Sequence, residues 1–203
     1  MAVHLEALEE TTACRDPMEQ FEKWFAEARR EVRMPEAMAL ATVGTDLRPS
    51  ARMVLARGWD ERGFVFYTDY RSRKSDDVEA NPRGALLLYW DPLGRQVRIE
   101  GPLGRIPPEE SDRYFATRPR GSQIAAHASE QSRPIAGRGA LEVRVAEETA
   151  RFSGAAVPRP SVWGGFRLVP ETMEFWQQRD DRLHDRLLYS LGPEGWRMGR
   201  LQP

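Results

Sequence analysis

Apolar positions first fall into a regular pattern after Asp16. There Asp-Pro-Met-Glu supplies a helix cap, a proline at the first helical position and a glutamate three residues after the cap. Phe21, Trp24, Phe25, Ala28 and Val32 follow at helical spacing, so one stripe faces a core until the chain reaches Pro35. From Met38 to Trp90 the period shortens to β-rich runs, MALATV, ARMVLARGW, GFVFYT and GALLLYW, parted by GTDLRPS and DERG. This reads as an antiparallel meander. Ser72 to Pro82 interrupts it with a short helix, capped at Ser72 and stopped at Asn81-Pro82.

RQVRIEGPLGRI is a strand pair or one long bent strand, and PPEESDRYFATRPRGSQIAAHAS is two helices broken at Arg118-Pro119. Residues 137–152 read as helix with a solvated Arg/Glu face. The remainder gives strands WGGFRLVP, TMEFWQQ, RLHDRLLYSL and GWRMGRLQP, with a hairpin turn at Gly192-Pro193-Glu194-Gly195. Many short strands with peripheral helices predict a mainly β fold, a small closed barrel without exposed edges. Residues 16–203 are expected to form a single domain, with residues 1–15 as a flexible tail.

The 203 residues suffice for a real core, and no apolar run approaches a membrane span. The N-terminus has neither a basic start nor an apolar stretch, which predicts a cytoplasmic protein without a signal peptide. One cysteine, Cys14, permits neither an internal disulfide nor a multi-cysteine metal site. Charge is more informative: 28 of the 30 basic residues are arginine, Lys23 and Lys74 being the exceptions, and 31 acids balance them. A formal net charge of -1 disfavours nonspecific nucleic-acid binding but leaves room for local anion sites.

Three such sites stand out. In TDYRSRKSDD, Arg71, Arg73 and Lys74 crowd a helix start whose dipole already favours negative charge, so the cations repel unless an anion binds there. Tyr114, Arg118, Arg120 and Ser122 surround the RPRGS break with a phenol, guanidinium forks and a hydroxyl, a set suited to a phosphate monoester. In RLHDR, alternation would put Arg182, His184 and Arg186 on one face of a strand, near the aromatic rings of Phe175, Trp176 and Trp163. Arg52 and Arg57, five apart, would point to opposite strand faces and serve different neighbours. The residues alone suggest two phosphate-bearing ligands, at least one with a flat ring.

The stretches SARMVLARGWDERGFVFYTDYRSRKSDDVEANPRGALLLYW, RQVRIEG, YFATRPRGSQIAAHASEQS, PSVWGGFRL and EFWQQRDDRLHDRLLY closely resemble the pyridoxine/pyridoxamine 5′-phosphate oxidases, in family order from about Asp16 to Pro203. The resemblance implies a homodimer of FMN-binding split β-barrels, antiparallel and Greek-key-like, with flavin at the subunit interface. It implies FMN contacts from Arg52, Met53, Val54, Leu55, Tyr67, Thr68, Arg73, Lys74, Gln96, Gln131, Ser132, Trp176 and Arg186. Substrate phosphate would be held by Arg57, Tyr114, Arg118 and Ser122, and Arg182 and His184 would serve as catalytic residues over the substrate ring and reacting carbon. The implied reaction oxidises pyridoxine or pyridoxamine 5′-phosphate to pyridoxal 5′-phosphate, with O2 reduced to H2O2. Arg57 departs from the lysine usual in the family, keeping charge while changing geometry. The competing readings are a related flavin oxidase of the phenazine-biosynthesis type, acting on a different aromatic substrate, and a non-catalytic flavin- or pyridoxal-phosphate-binding protein.

Overall fold

The computed structural model describes residues 7–203. Chain order is α1 (Pro17–Glu31), β1 (Ala37–Val43), β2 (Pro49–Leu55), β3 (Gly58–Asp60), β4 (Gly63–Asp69), α2 (Arg73–Ala80), β5 (Arg83–Trp90), β6 (Arg95–Arg105), α3 (Pro108–Thr117), α4 (Arg120–Ala128), α5 (Arg138–Arg151), β7 (Trp163–Leu168), β8 (Thr172–Gln177), β9 (Asp185–Gly192) and β10 (Gly195–Arg200). Asp16 caps α1 as its sequence predicts, accepting from the Met18 amide at 2.6 Å. The helix stripe is buried through Phe21, Trp24, Phe25 and Ala28. Its rings interlock with the sheet: Phe21 meets Phe64 edge-on at 4.8 Å, Phe25 meets Trp59 at 4.5 Å, and Trp24 meets Phe175 at 5.3 Å.

The strands form a curled antiparallel sheet rather than a meander. β1 lies between β2 and β5, while β4 pairs with β3 and β7 and has no ladder to β2. The cause is a break inside ARMVLARGW. At Ala56 the backbone amide donates to Glu36 and at Arg57 to Val65, so the ladder changes partner from β1 to β4 at this point. β2 and β3 thereby close a circuit through β1, β5, β6, β7 and β4. RQVRIEGPLGRI is the long single strand β6, which pairs with β8 over Arg95–Glu100 and with β7 over Leu103–Arg105. From this branch β8, β9 and β10 extend outward, so β10 remains an edge and full closure does not occur.

Two further expectations fail in the described residues. RLHDRLLYSL becomes strand only at Asp185, because Asp181 and Arg182 adopt left-handed backbone (φ 55° and 61°) in a tight turn. Arg182 therefore does not alternate with His184 and Arg186 on a strand face. The N-terminal segment from residue 7 onward is packed down rather than free. Leu8 is buried in the core, its amide donates to Asp185 Oδ2 at 3.1 Å, and the Tyr189 hydroxyl donates to the Cys14 carbonyl at 2.7 Å. Residues 1–6, the rest of the expected tail, lie outside the described residues. No helix among the described residues is long and apolar enough to cross a membrane.

Candidate active site

A cleft of about 650 Å³ opens between β2 and β4 on one side and α3 and α4 on the other. Its wall joins Met53, Val54, Leu55, Tyr67, Thr68, Lys74 and Gln131 with Arg57, Tyr114, Arg118 and Ser122. The two anion sites expected from separate stretches of sequence thus share one cavity.

At one end, Ser72 occupies the cap position of α2 but makes no capping bond with its side chain. Its hydroxyl instead accepts from Lys74 Nζ at 3.0 Å, and Nζ also donates to Thr68 Oγ1 at 3.1 Å and Gln131 Oε1 at 2.7 Å. All three partners are neutral. Burial, with the nearby Arg52 guanidinium adding to it, lowers the Lys74 pKa from 10.5 to about 8. Arg52 lies beneath, donating to the Leu40 carbonyl, Thr42 Oγ1, Ser50 Oγ and Asp77 Oδ2. Arg73 is exposed on the first turn of α2. Arg71 does not join this group, because the Nε and Nη2 edge of its guanidinium is held by the two carboxylate oxygens of Asp69 at 3.1 and 2.7 Å. Ser132 follows Gln131 with a left-handed backbone, φ 70°.

At the other end, Arg118 Nη1 is buried without a hydrogen-bond partner among the described residues. The guanidinium sits 4.5 Å from the Trp163 ring centroid and 5.5 Å from that of Phe115. Desolvation lowers its pKa, and repulsion from Arg57 adds to the effect. Arg57 is itself 3.7 Å from Glu36. Between the two ends, Tyr67 stacks on Tyr114 at 3.9 Å and on Trp163 at 5.3 Å, and burial pushes the Tyr67 phenol up to about 12. Arg120, grouped with Arg118 from the sequence, is engaged elsewhere: it donates to the carbonyls of Phe152 and Ala155 and ties α4 to the end of α5.

The cleft wall includes none of Gln96, Trp176, Arg182, His184 and Arg186. These form a second group around β8. Gln96 lies opposite Trp176 in one ladder and Trp176 opposite Arg186 in the next. The His184 ring is 4.5 Å from that of Trp176. His184 Nδ1 accepts from the Arg179 amide at 3.1 Å, so the neutral imidazole carries its proton on Nε2. Arg186 is held by buried Glu174 at 2.7 and 3.2 Å. Glu174, Asp77 and Asp185 support site residues and escape sequence reading, since isolated acids in charged runs look like solvated surface. Phe175 is fully buried core, whereas Trp163 is a cleft wall. No cluster of metal-ligating side chains occurs among the described residues.

An unmatched ammonium and an orphaned guanidinium separated by stacked aromatics suit a ligand set with two phosphates and flat rings, and FMN fits the Lys74 end. The family described as pyridoxamine 5′-phosphate oxidase matches residues 25–152, and that described as the pyridoxine 5′-phosphate oxidase C-terminal dimerisation region matches residues 163–203. The chain is 60% identical over 197 residues to the pyridoxine/pyridoxamine 5′-phosphate oxidase of Rubrobacter xylanophilus, covering 97% of this chain and 91% of that one. It is 54% identical to the enzyme of the same name from Burkholderia multivorans, covering 97% and 94%. Among solved structures, PhzG from Burkholderia lata in complex with tetrahydrophenazine-1-carboxylic acid superposes with TM-score 0.91 at 35% identity, covering 98% of this chain and 99% of that one. A pyridoxamine 5′-phosphate oxidase-related, FMN binding protein from Nostoc punctiforme shares the fold at TM-score 0.75 and 19% identity, covering 93% and 98%. With a family match over most of its length and relatives above half identity, the chain belongs to the pyridoxamine 5′-phosphate oxidase family.

Proposed function

We propose that the protein is an FMN-dependent oxidase converting pyridoxine and pyridoxamine 5′-phosphates to pyridoxal 5′-phosphate, working as a homodimer. The observation that carries this reading is the pairing, in one cleft, of the Lys74 ammonium with neutral partners and the buried Arg118 Nη1 with none. Each end of the cleft holds a cation whose charge the protein does not match, and each suits a phosphate.

Lys74, Arg52, Arg73, Thr68 and Gln131 hold the flavin phosphate, with the backbone of Met53, Val54 and Leu55 and the Tyr67 ring along the cofactor. When bound, FMN would supply the redox chemistry of the oxidation, with O2 as the final acceptor. Arg118, Tyr114, Ser122 and Arg57 anchor the substrate phosphate, so the reacting carbon is placed by binding rather than by collision. The group around Trp176 of the partner subunit completes the cleft, which accounts for its absence from the cleft wall of one chain. There Arg182 and His184 orient the substrate ring, His184 offering its Nε2 proton as a hydrogen-bond donor. Tyr114, Arg118 and Ser122 favour a phosphorylated substrate over a phenazine-type acid, which has no phosphate for them to bind.

Anaerobic addition of pyridoxine 5′-phosphate to the FMN-loaded protein is expected to bleach the visible flavin band. Admission of air should restore it as pyridoxal 5′-phosphate accumulates. A band that stays yellow under a large excess of substrate rejects the oxidase reading, and bleaching by a dihydrophenazine carboxylic acid but not by pyridoxine 5′-phosphate would move the protein to the phenazine type.

A further inference from the structure

The segment carrying Arg182 and His184 is held in an unfavourable conformation. Asp181 and Arg182 are successive non-glycine residues with left-handed backbone, a conformation that aspartate tolerates but arginine disfavours and that persists at Arg182 where surrounding contacts impose it. Within the turn, the Leu183 amide donates to the Asp180 carbonyl at 3.1 Å and the Arg179 amide to His184 Nδ1 at 3.1 Å. A further hold comes from Asp185, which follows the turn and begins β9. Its Oδ1 accepts from Arg200 Nη1 on β10 at 2.8 Å, and its Oδ2 accepts from the Leu8 amide at 3.1 Å and faces Arg179 Nε at 3.6 Å. Both carboxylate oxygens are therefore engaged, and they join the N-terminal segment, β10 and Arg179, the residue just before the turn. Arg200 also donates to the Leu8 carbonyl at 2.8 Å and to Glu10 at 2.6 Å, which fastens the N-terminal segment to the same point.

We propose that Asp185 is a positioning residue that clamps the strained 180–184 turn from both sides and so fixes Arg182 and the His184 ring beside Trp176. Its contacts are to Leu8, Arg200 and Arg179, and it acts through these neighbours. Arg186, the next residue, does not depend on it, because Glu174 holds that guanidinium independently. The clamp rests on the oxidase reading for the importance of Arg182 and His184, but its geometry does not.

Asp185→Asn keeps the side-chain volume and removes the charge that Arg179 and Arg200 share. In FMN-loaded protein it is expected to lower kcat for pyridoxine 5′-phosphate by about tenfold or more, while KM and FMN retention change by less than about twofold. Imidazole 15N signals provide a readout free of turnover. In the wild type His184 should show the Nε2-protonated tautomer, and in D185N its signals should move toward the tautomer average, with His127 as an internal control. Arg200→Met, which removes one partner and leaves Asp185 in place, is expected to move the same signals in the same direction, and it decides the matter if D185N does not fold. Unchanged kcat together with unchanged His184 signals in either folded variant overturns the clamp. A wild-type protein without turnover would instead refute the oxidase reading, and the imidazole signals would still test the clamp.

Discussion

Replacing Arg118 by methionine is expected to raise KM for pyridoxine 5′-phosphate by about 100-fold, with kcat little changed and no loss of thermal stability. The first part follows from the charge-assisted bonds a guanidinium offers a phosphate, about 1.5–3 kcal/mol for the contact removed. The second follows from the state of Arg118 in the unliganded chain, where Nη1 is buried without a partner and desolvation already lowers the pKa. An uncompensated buried charge costs stability, whereas methionine keeps apolar contact with Trp163 and Phe115 and removes that cost. Steady-state kinetics and a thermal melt without substrate test both halves. A lower melting temperature with unchanged KM would make Arg118 a packing residue and not a phosphate ligand.

At the opposite end of the cleft, Lys74→Met is expected to weaken FMN binding by about 100-fold, again the loss of a charge-assisted contact of about 1.5–3 kcal/mol. Its pH signature is more diagnostic. The native pKa of about 8 lies below the 10.5 of the free side chain, so between these values the unfolded chain holds more protons than the folded one. Stability of the apoprotein from this group therefore rises with pH across that window and is lowest below pH 8. FMN affinity moves the other way, falling as the ammonium that pairs with phosphate is lost above about 8. Fluorescence titration with FMN and thermal melts at pH 7 to 10 should show these opposed trends in the wild type. Both should flatten in K74M, and a wild-type FMN affinity independent of pH would remove Lys74 from the phosphate site.

Helices α1 and α2 were legible because capping residues and stops are local signals, and the isolated lysine in an arginine-rich chain pointed to Lys74 before any geometry was known. The break between β2 and β3 was not legible, since ARMVLARGW reads as one β-rich run whose single glycine, Gly58, falls after the break, and the ladder changes partner because the Glu36 and Val65 carbonyls capture the successive amides of Ala56 and Arg57. The RLHDR segment looked like strand for a similar reason. Its two left-handed residues include no glycine, and the Asp185 carboxylate that follows them is bonded to Leu8 and Arg200, which are remote in sequence. Arg120 could not be separated from Arg118 by spacing, because one guanidinium turns to carbonyls just beyond α5 and its neighbour to the cleft. Motif resemblance supplied the expected roles of Gln96, Trp176 and Arg186, which no periodicity reveals.

The split of the site residues into a cleft group and a Trp176 group has a genetic consequence. If each working site draws one group from each subunit of a symmetric dimer, a K74M chain and an Arg182→Ala chain are damaged on different sides of the interface. Each homodimer then carries only defective sites, but a mixed dimer concentrates both lesions in one site and leaves the other whole. Two inactive alleles expressed together should restore growth to a strain that depends on this activity, whereas two alleles damaged within the same group should not.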